Sequence, residues 1–270
     1  MALRVAVAGG LGRMGSEIVL LALSKPDEFA VEAVGVEEAD ARGGKRLGEV
    51  LPVRSQAAVL TEKRLKEGLR RGKWDVLVDV TGPEAAVGFM RAAVDARVPF
   101  VSGSTGISQK ALDDLGAVAK KAGVAGVWTP NFSVGVNVWW ALLAKAAEAL
   151  PGYDVEVVEV HHNQKRDAPS GTAARAVEVL KQSGAGPDVV HGRTGLVGAR
   201  GGEIGVHAVR LGDVVGEHTA YFGANAERIE VTHRAHSRVA FAAGALTAAR
   251  WVAAQKRGGL FSMADVLGVA

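Results

Sequence analysis

The chain begins with the stretch Leu3-Arg-Val-Ala-Val-Ala-Gly-Gly-Leu-Gly-Arg-Met-Gly15. Residues 3–8 are apolar at nearly every position, which predicts a strand buried on both faces of a parallel sheet. Glycines follow at once, and residues 16–25 have the composition of a helix. A strand, a glycine-rich turn and a helix in this order are the context in which a dinucleotide-binding fingerprint occurs. The stretch therefore predicts a Rossmann-type α/β fold, the alternative being a tight turn that binds no ligand.

The glycines fit the fingerprint in two ways, as Gly10-x-Gly12-x-x-Gly15 or as Gly9-x-x-Gly12-x-x-Gly15. Either spacing lets the backbone approach a pyrophosphate at the N-terminus of the following helix. One match of this kind is a weak signal by itself, so the downstream acidic residue of the fingerprint becomes important.

That acidic residue is present after a second predicted strand, residues 30–36, which ends in Glu37 and Glu38. An acidic side chain at this place binds the ribose hydroxyls of the adenosine, and Glu37 is the better candidate because it directly follows the strand. Two carboxylates repel the 2′-phosphate of NADP, so the pair favours NADH, with NADPH as the alternative. The nearby cations that could offset this repulsion are Arg13, Arg42 and Lys45.

Strand and helix patterns continue to alternate as far as residue 128, which predicts a doubly wound parallel sheet. Trp74–Thr81 and Val98–Ser102 are apolar strands, and each is followed by a helical pattern. The second strand leads into Gly103-Ser-Thr-Gly106, whose small residues leave room for the flat ring of nicotinamide at the carboxyl edge of the sheet. The alternative is an ordinary βα loop. Thr129-Pro-Asn-Phe-Ser133 leaves the same edge after a short strand.

From Ser133 the pattern changes to a long apolar helix that ends near Leu150. Strands with period-2 alternation then follow one another without helices between them, at 203–211, 218–223 and 227–233. Such an order predicts a second α+β domain on a mixed or antiparallel sheet. A long Ala-rich helix over 237–256 and a short tail complete the chain. The predicted domains are 1–129 plus 239–270 for dinucleotide binding, and 130–238 for substrate binding and oligomerisation.

The second domain contains a polar stretch, Glu159-Val-His-His-Asn-Gln-Lys-Arg-Asp-Ala-Pro-Ser-Gly-Thr-Ala173. It begins as a β-branched strand and ends as the start of a helix. The backbone N–H groups of Gly171 and Thr172 lie in the first turn of that helix, so they form an anion site beside several cations. A carboxylate fits this site, with His161 and Lys165 placed to move protons. Together with the dinucleotide edge, the site predicts hydride transfer to an anionic small molecule.

Each of these polar residues also has a purely structural interpretation. His161 and His162 are adjacent on a strand and point to opposite faces, so one of them is a candidate for a structural histidine. Lys165 lies in a loop, where a lysine is usually a solvated charge, but it lies close to the helix start that Ser170 is expected to cap.

Composition argues against several other classes of protein. The chain has no cysteine, which excludes disulfides, thiolate catalysis and cysteine-ligated metals, and its histidines show no His-x-x-x-His pair, so no metal site is predicted. No Gly-x-Ser-x-Gly elbow of a hydrolase occurs. A net charge of +3 is too small to predict nucleic-acid binding. Without a signal peptide or an apolar run of the roughly 20 residues that a membrane span needs, the chain is expected to be soluble and cytoplasmic.

Five separated blocks of the chain resemble those of the dihydrodipicolinate reductase family. The most specific is Glu159–Ala173, and the others are Gly9–Gly15, Gly103–Gly106, Asn131–Asn137 and Gly212–Thr219. The resemblance implies an enzyme that uses NAD(P)H to reduce a cyclic imine dicarboxylate, 4-hydroxy-tetrahydrodipicolinate or dihydrodipicolinate, to tetrahydrodipicolinate. This reaction belongs to lysine biosynthesis by the diaminopimelate pathway. The resemblance also implies a homotetramer built through the sheet of the second domain.

The same resemblance implies roles for individual residues. His161 is the implied catalytic acid/base and Lys165 the implied proton donor. In some relatives an Arg at the position of Glu38 binds the 2′-phosphate of NADPH, and this chain lacks that Arg. The implied substrate-binding residues are His162, Gly171, Thr172 and Arg238. The implied cofactor-binding residues are Gly9, Gly10, Leu11, Gly12, Arg13, Met14, Glu37, Gly103, Ser104, Thr105, Thr129, Pro130, Asn131 and Phe132.

Two other functions are alternatives to this one. Another two-domain enzyme, such as an aspartate or homoserine dehydrogenase, has the same general organisation, but the block 165–172 argues against it. A non-catalytic dinucleotide sensor would keep the fold, but it would have no need of His161 and Lys165. The sequence leaves open which of these two side chains delivers the proton.

Overall fold

The computed structural model describes residues 1–224 and 226–269. It divides into two compact units, Met1–Ser133 with Val239–Gly268, and Val134–Arg238, so the first boundary lies after Ser133 rather than after residue 129. None of the described helices is both long enough and apolar enough to cross a membrane.

The strands are β1 (Leu3–Ala8), β2 (Phe29–Val36), β3 (Ala58–Thr61), β4 (Val76–Asp79), β5 (Phe100–Ser102), β6 (Ala125–Trp128), β7 (Asp154–His161), β8 (Val189–His191), β9 (Ile204–Arg210), β10 (Gly216–Ala224), β11 (Glu227–Ala235) and β12 (Gly259–Phe261). The helices are α1 (Arg13–Leu23), α2 (Leu47–Val50), α3 (Glu62–Arg70), α4 (Pro83–Asp95), α5 (Gln109–Ala122), α6 (Val134–Ala149), α7 (Gly171–Gln182), α8 (Val239–Ala253) and α9 (Met263–Leu267).

The first unit is built on a parallel seven-stranded sheet in the order β12-β6-β5-β4-β1-β2-β3. Alternate residues of β1 point to opposite faces, so Val5 and Val7 join one core while Ala6 and Ala8 join the other. Residues of α1 and α8 complete the first core, and residues of α3, α4 and α5 complete the second. Helices therefore cover both faces, which confirms the predicted doubly wound Rossmann-type sheet.

The expectation that the chain ends in a short tail is wrong. After α8, the strand β12 pairs in parallel with β6, placing Gly259 opposite Ala125, and becomes an edge of the sheet. The helix α9 follows, capped by the hydroxyl of Ser262, and buries Met263 in the first core. A strand of three residues is too short to show a period-2 pattern, so the sequence carries almost no signal for it.

The second unit contains a mixed five-stranded sheet in the order β11-β10-β7-β9-β8, as predicted. β10 runs antiparallel to both β7 and β11, whereas β9 runs parallel to β7 and β8. Val155 and Val157 of β7 are buried in one core with residues of α6 and α7. Glu159 and His161 continue the same buried alternation towards the end of the strand. The helix-covered face of this sheet is therefore apolar at one end and polar at the other.

Candidate active site

The glycine loop between β1 and α1 has the backbone geometry of an anion site. Gly9 has a φ of 73°, in the left-handed region that favours glycine, and the amide of Gly12 donates to the Gly9 carbonyl at 3.0 Å. A side chain at Gly15 would overlap that carbonyl. Because Gly12 has no side chain to cap the first turn of α1, the turn is suited to a pyrophosphate and the loop fits a dinucleotide. The remaining residues expected to bind the cofactor here are Gly10, which is buried, Leu11 and Met14, which pack against the core, and Arg13, which is exposed.

Glu37 and Glu38 follow β2, and both are exposed. The carboxylate of Glu38 accepts a hydrogen bond from the backbone N–H of Lys63 at 3.2 Å, so one of its oxygens is already bound within the protein. Arg42, one of the cations that could favour NADPH, is paired with Asp40 at 2.6 Å. The carboxylate of Glu37 therefore remains the better candidate for the ribose hydroxyls.

Asp79 at the end of β4 organises the neighbouring loops, and the sequence-based reasoning missed it. It is fully buried, and its carboxylate accepts hydrogen bonds from the hydroxyls of Ser102 and Thr81, both at 2.6 Å, and of Ser104 at 2.9 Å. Burial raises the pKa of the Asp79 carboxyl, although the hydroxyl donors oppose the shift. Its only signal in the sequence is an acidic residue within an apolar strand.

The loops after β5 and β6 are packed tightly against each other. A side chain at Gly103 would overlap the ring of Phe132, which is buried in the core. The hydroxyl of Ser104 points to Asp79, whereas Thr105 is exposed at the surface. A flat ligand at this loop would therefore meet the side chain of Thr105 rather than that of Ser104. In the loop after β6, Thr129 is buried and its hydroxyl donates a hydrogen bond to the carbonyl of Asn131 at 2.8 Å. Pro130 is exposed.

In the second unit, Glu159 lies at the centre of a buried network of hydrogen bonds. Its carboxylate lies 2.5 Å from Nδ1 of His161 and accepts two hydrogen bonds from the Arg210 guanidinium, at 2.9 and 3.0 Å. The backbone N–H of Ser170 donates to it at 3.0 Å. Burial opposes ionisation of Glu159, but the donors from His161, Arg210 and Ser170 outweigh it and lower the pKa to about 2. His161 therefore faces a permanent negative charge.

His218 of β10 lies against His161, with ring centroids 5.1 Å apart. Its Nε2 is 3.3 Å from the Ser170 hydroxyl, and its buried Nδ1 has no hydrogen-bond partner among the described residues. Burial, reinforced by the positive charges around the ring, lowers the pKa of His218 to about 3, so the ring is neutral at physiological pH. The sequence-based reasoning assigned no role to His218, although it lies within the quoted block Gly212–Thr219.

Lys165 is less exposed than a loop lysine usually is, with 21% of its side chain accessible. Its ammonium is paired with Asp167 at 2.8 Å, and its backbone N–H donates to the carbonyl of His162 at 3.1 Å. The charge of Lys165 is the smallest of the contributions that lower the pKa of His218, after burial and the other neighbouring histidines. Arg238, by contrast, lies on the exposed turn after β11.

The start of α7 has the geometry expected of an anion site. Ser170 is the N-cap, and its hydroxyl accepts a hydrogen bond from Ala173 N–H at 3.2 Å, while its own N–H binds Glu159. Gly171 and Thr172 form the first positions of the helix, whose dipole favours negative charge there. A methyl group at Gly171 would meet no atom within 4 Å, so the helix start borders open space.

A parallel sheet with a dinucleotide loop in one unit, and a histidine–carboxylate pair beside a helix N-terminus in the other, define a two-domain nicotinamide-dependent oxidoreductase. The family model for the N-terminus of dihydrodipicolinate reductase matches residues 3–132, and the model for its C-terminus matches residues 135–267. The chain belongs to the dihydrodipicolinate reductase family.

Individual relatives agree with this assignment. The chain is 41% identical to the 4-hydroxy-tetrahydrodipicolinate reductase of Methanosarcina barkeri, over 99% of this chain and 100% of that protein. It is 42% identical to the enzyme of the same name from Methanothermobacter thermautotrophicus, over 99% of each chain. The dipicolinate-bound dihydrodipicolinate reductase from Paenisporosarcina sp. TG-14 superposes with a TM-score of 0.80 and 26% identity, covering 97% of this chain and 98% of that one.

These matches confirm the predicted family and reaction. The protein is an oxidoreductase of lysine biosynthesis by the diaminopimelate route, and its family uses NAD(P)H through a Rossmann-type domain. The alternatives of a different amino-acid dehydrogenase and of a non-catalytic sensor are therefore set aside.

Proposed function

We propose that His161 and Lys165 supply the acid–base chemistry by which this chain reduces its cyclic imine. The observation that carries this proposal is the pair formed by His161 and the buried Glu159, 2.5 Å apart, beside the N-terminus of α7. When bound, NAD(P)H supplies the hydride. The residues of the chain bind and orient the substrate and move the proton.

The proton is needed because hydride addition at C4 of the conjugated imine leaves an enamine, which must be protonated at carbon. We assign this donation to Lys165, whose ammonium Asp167 holds at 2.8 Å, and the general acid/base role to His161. Lys165→Ala is expected to lower kcat by roughly 10²–10⁴ with a smaller effect on cofactor binding. A collapse of cofactor affinity instead would assign Lys165 to the dinucleotide site.

The substrate has two carboxylates, and the second unit offers donors that suit them. The amides at Gly171 and Thr172 lie at a helix N-terminus that borders open space, where a carboxylate is stabilised by the helix dipole. We assign one carboxylate to these amides and to His162, with Arg238 as a further candidate.

The cofactor lies along the carboxyl edge of the parallel sheet in this proposal. NADH is the favoured cofactor because Glu37 and Glu38 repel a 2′-phosphate, and NADPH is the alternative. Glu38→Arg is expected to raise the ratio of NADPH to NADH efficiency, and an unchanged ratio would mean that Glu38 points away from the ribose. The residues assigned to the cofactor are Gly9, Gly10, Leu11, Gly12, Arg13, Met14, Glu37, Gly103, Ser104, Thr105, Thr129, Pro130, Asn131 and Phe132.

We further propose a cytoplasmic homotetramer that assembles through the mixed sheet. The face of this sheet opposite α6 and α7 carries partly exposed apolar side chains, among them Val158, Val160 and Val209, which suit a protein interface. Light scattering of the purified protein tests the assembly, and a monomer would contradict it.

The test of the function as a whole is the oxidation of NADH by purified protein, followed at 340 nm with the product of the preceding synthase as substrate. The expected result is NADH loss that depends on both enzyme and substrate. No substrate-dependent loss of either NADH or NADPH would overturn the assignment, whereas loss of NADPH alone would overturn only the preference for NADH.

A further inference from the structure

The acid–base roles above give the Glu159 carboxylate no task of its own, although it is bound by an imidazole, a guanidinium and a backbone N–H. It is fully buried and directed at the imidazole that is proposed to do the chemistry. A buried carboxylate is retained at a cost unless it is fully paired. Its partners therefore indicate what it does.

The partners of Glu159 fix it in one position. Arg210 binds both carboxylate oxygens, and the N–H of Ser170 adds a third donor from the helix start. The parallel pairing of β7 with β9 places Arg210 opposite His161, so the guanidinium reaches Glu159 from the neighbouring strand. Arg210 also donates to the carbonyl of Asp167, in the loop that carries Lys165.

Because its oxygens are fixed in this way, Glu159 determines which nitrogen of the His161 ring carries the proton. A carboxylate only accepts hydrogen bonds, so the Nδ1 that lies 2.5 Å from it carries the proton. Nε2 is then the nitrogen that remains for the substrate. The ring also packs edge-on against His218, with the two ring centroids 5.1 Å apart.

We propose that Glu159, held in place by Arg210, is a positioning residue that fixes the proton of His161 on Nδ1 and stabilises the charged ring during proton transfer. This rests on the proposed acid–base role of His161. The other titratable or charged groups that face the pair are His218 from β10, which is neutral, and Lys165 with Asp167 from the loop. None of these is an anion in contact with Nδ1, so Glu159 alone supplies the counter-charge among the described residues.

The test is a double-mutant cycle on kcat with Glu159→Gln and His161→Asn. Gln keeps the shape and can still accept from Arg210 and Ser170, but it removes the charge. Glu159→Gln alone is expected to lower kcat by about 10², with little change in KM for NADH. In the His161→Asn background the same change is expected to cost less than about twofold, because both variants act on one function.

The matched control is Glu156→Gln on the opposite face of the same strand. Glu156 also pairs with a histidine and an arginine, at 2.7 Å from His207 and 3.0 Å from Arg193, but it has no contact with His161. Light scattering first verifies that the Glu156→Gln variant assembles like the wild-type protein. This variant should then retain wild-type kcat. An equal loss of kcat by Glu159→Gln in both His161 backgrounds would overturn the positioning role.

A second measurement does not depend on the fold of any variant. The ¹⁵N chemical shifts of His161 in the wild-type tetramer or monomer should show a proton on Nδ1 throughout the pH range of activity. A neutral ring with its proton on Nε2 would overturn the proposal. If His161→Asn keeps full activity, the proposed acid–base role of His161 is wrong. If His161→Asn lowers kcat but Glu159→Gln does not, only the positioning role of Glu159 is wrong.

Discussion

Asp79 in the first unit and Glu159 in the second are both fully buried carboxylates near the end of a strand, but their partners differ. Asp79 accepts hydrogen bonds from the hydroxyls of three Ser and Thr side chains, and no cation is paired with it among the described residues. Glu159 is bound by Arg210 and His161. The pKa is accordingly raised by burial at Asp79, and lowered to about 2 at Glu159 against the effect of burial.

The difference shows that burial alone does not decide what an acidic residue does. A carboxylate surrounded by hydroxyls can hold loops together, and it does so whether or not it keeps its proton. A carboxylate matched by a guanidinium remains charged and can act on a third group, here the imidazole of His161. The contrast between the two sites can be tested by changing first the cation and then the carboxylates.

The largest effect is expected from removing the cation at the charged site. Arg210→Met leaves the Glu159 carboxylate buried without its main counter-charge, which typically destabilises a protein by about 3–5 kcal/mol. Urea unfolding at pH 7 measures the loss. The control is Arg193→Met, whose partly exposed partner Glu156 keeps Arg200, and its cost should be about 1 kcal/mol or less.

Neutralising the buried charge should then repair part of that damage. In the double variant Arg210→Met with Glu159→Gln, the unpaired carboxylate no longer exists, so stability should recover towards that of Glu159→Gln alone. Additive losses in the double variant would mean that Arg210 stabilises the unit through its other contacts, the carbonyls of Asp167 and Val209.

The two carboxylates should also give stability opposite dependences on pH. The pKa of Glu159 is lowered to about 2, so its contribution of about 3 kcal/mol is fully present above about pH 5 and is lost as pH falls towards 2. The pKa of Asp79 is raised, so its ionisation weakens the folded state as pH rises through that value. Against wild type, the deficit of Glu159→Gln should shrink as pH falls, and that of Asp79→Asn as pH rises. Deficits that move in the same direction would remove the contrast.

Much of the fold could be predicted from the sequence because its signals are local. The strand β1, the glycine loop and α1 lie within about twenty consecutive residues, and the N-cap role of Ser170 follows from its position before an Ala-rich helix. The short edge strand β12 has no such signal and gains its stability from pairing with β6.

The networks around the two carboxylates could not be predicted in the same way. Arg210 lies 51 positions after Glu159, and Ser104 lies 25 positions after Asp79. These contacts depend on which strands are neighbours and in what register, which single-sequence periodicity does not determine. The sequence therefore indicated His161 and Lys165 through their local motif, but not Arg210, which holds Glu159 from a neighbouring strand.

A smaller effect is expected at the hydroxyl-bound site itself. In Asp79→Asn the amide has one acceptor oxygen for three hydroxyl donors, so at least one hydrogen bond is lost at a cost of about 1 kcal/mol. Because Ser104 is tied to Asp79, the loop after β5 should loosen, raising KM for NADH more than it lowers kcat. Steady-state kinetics measure KM and kcat, and urea unfolding measures the loss of stability. The control is Asp75→Asn, which removes a carboxylate that is paired with Arg4 at the surface. A fall in kcat at unchanged KM would argue against a role in holding the loop.

The smallest effect on kcat is expected from displacing the group that a carboxylate holds. Asp79 binds three hydroxyls that can rotate, whereas Glu159 binds the single ring of His161. In Gly216→Ala the new methyl group would lie 3.0 Å from Nε2 of His161, so the ring must move by a few tenths of an ångström. Such a shift should lower kcat by about threefold while leaving KM for NADH unchanged, because the cofactor loops belong to the other unit. Gly223→Ala on the same strand is the control, since its methyl group would meet no atom within 4 Å. If the two variants have equal kcat, the ring of His161 is less tightly held than its contact with Glu159 requires.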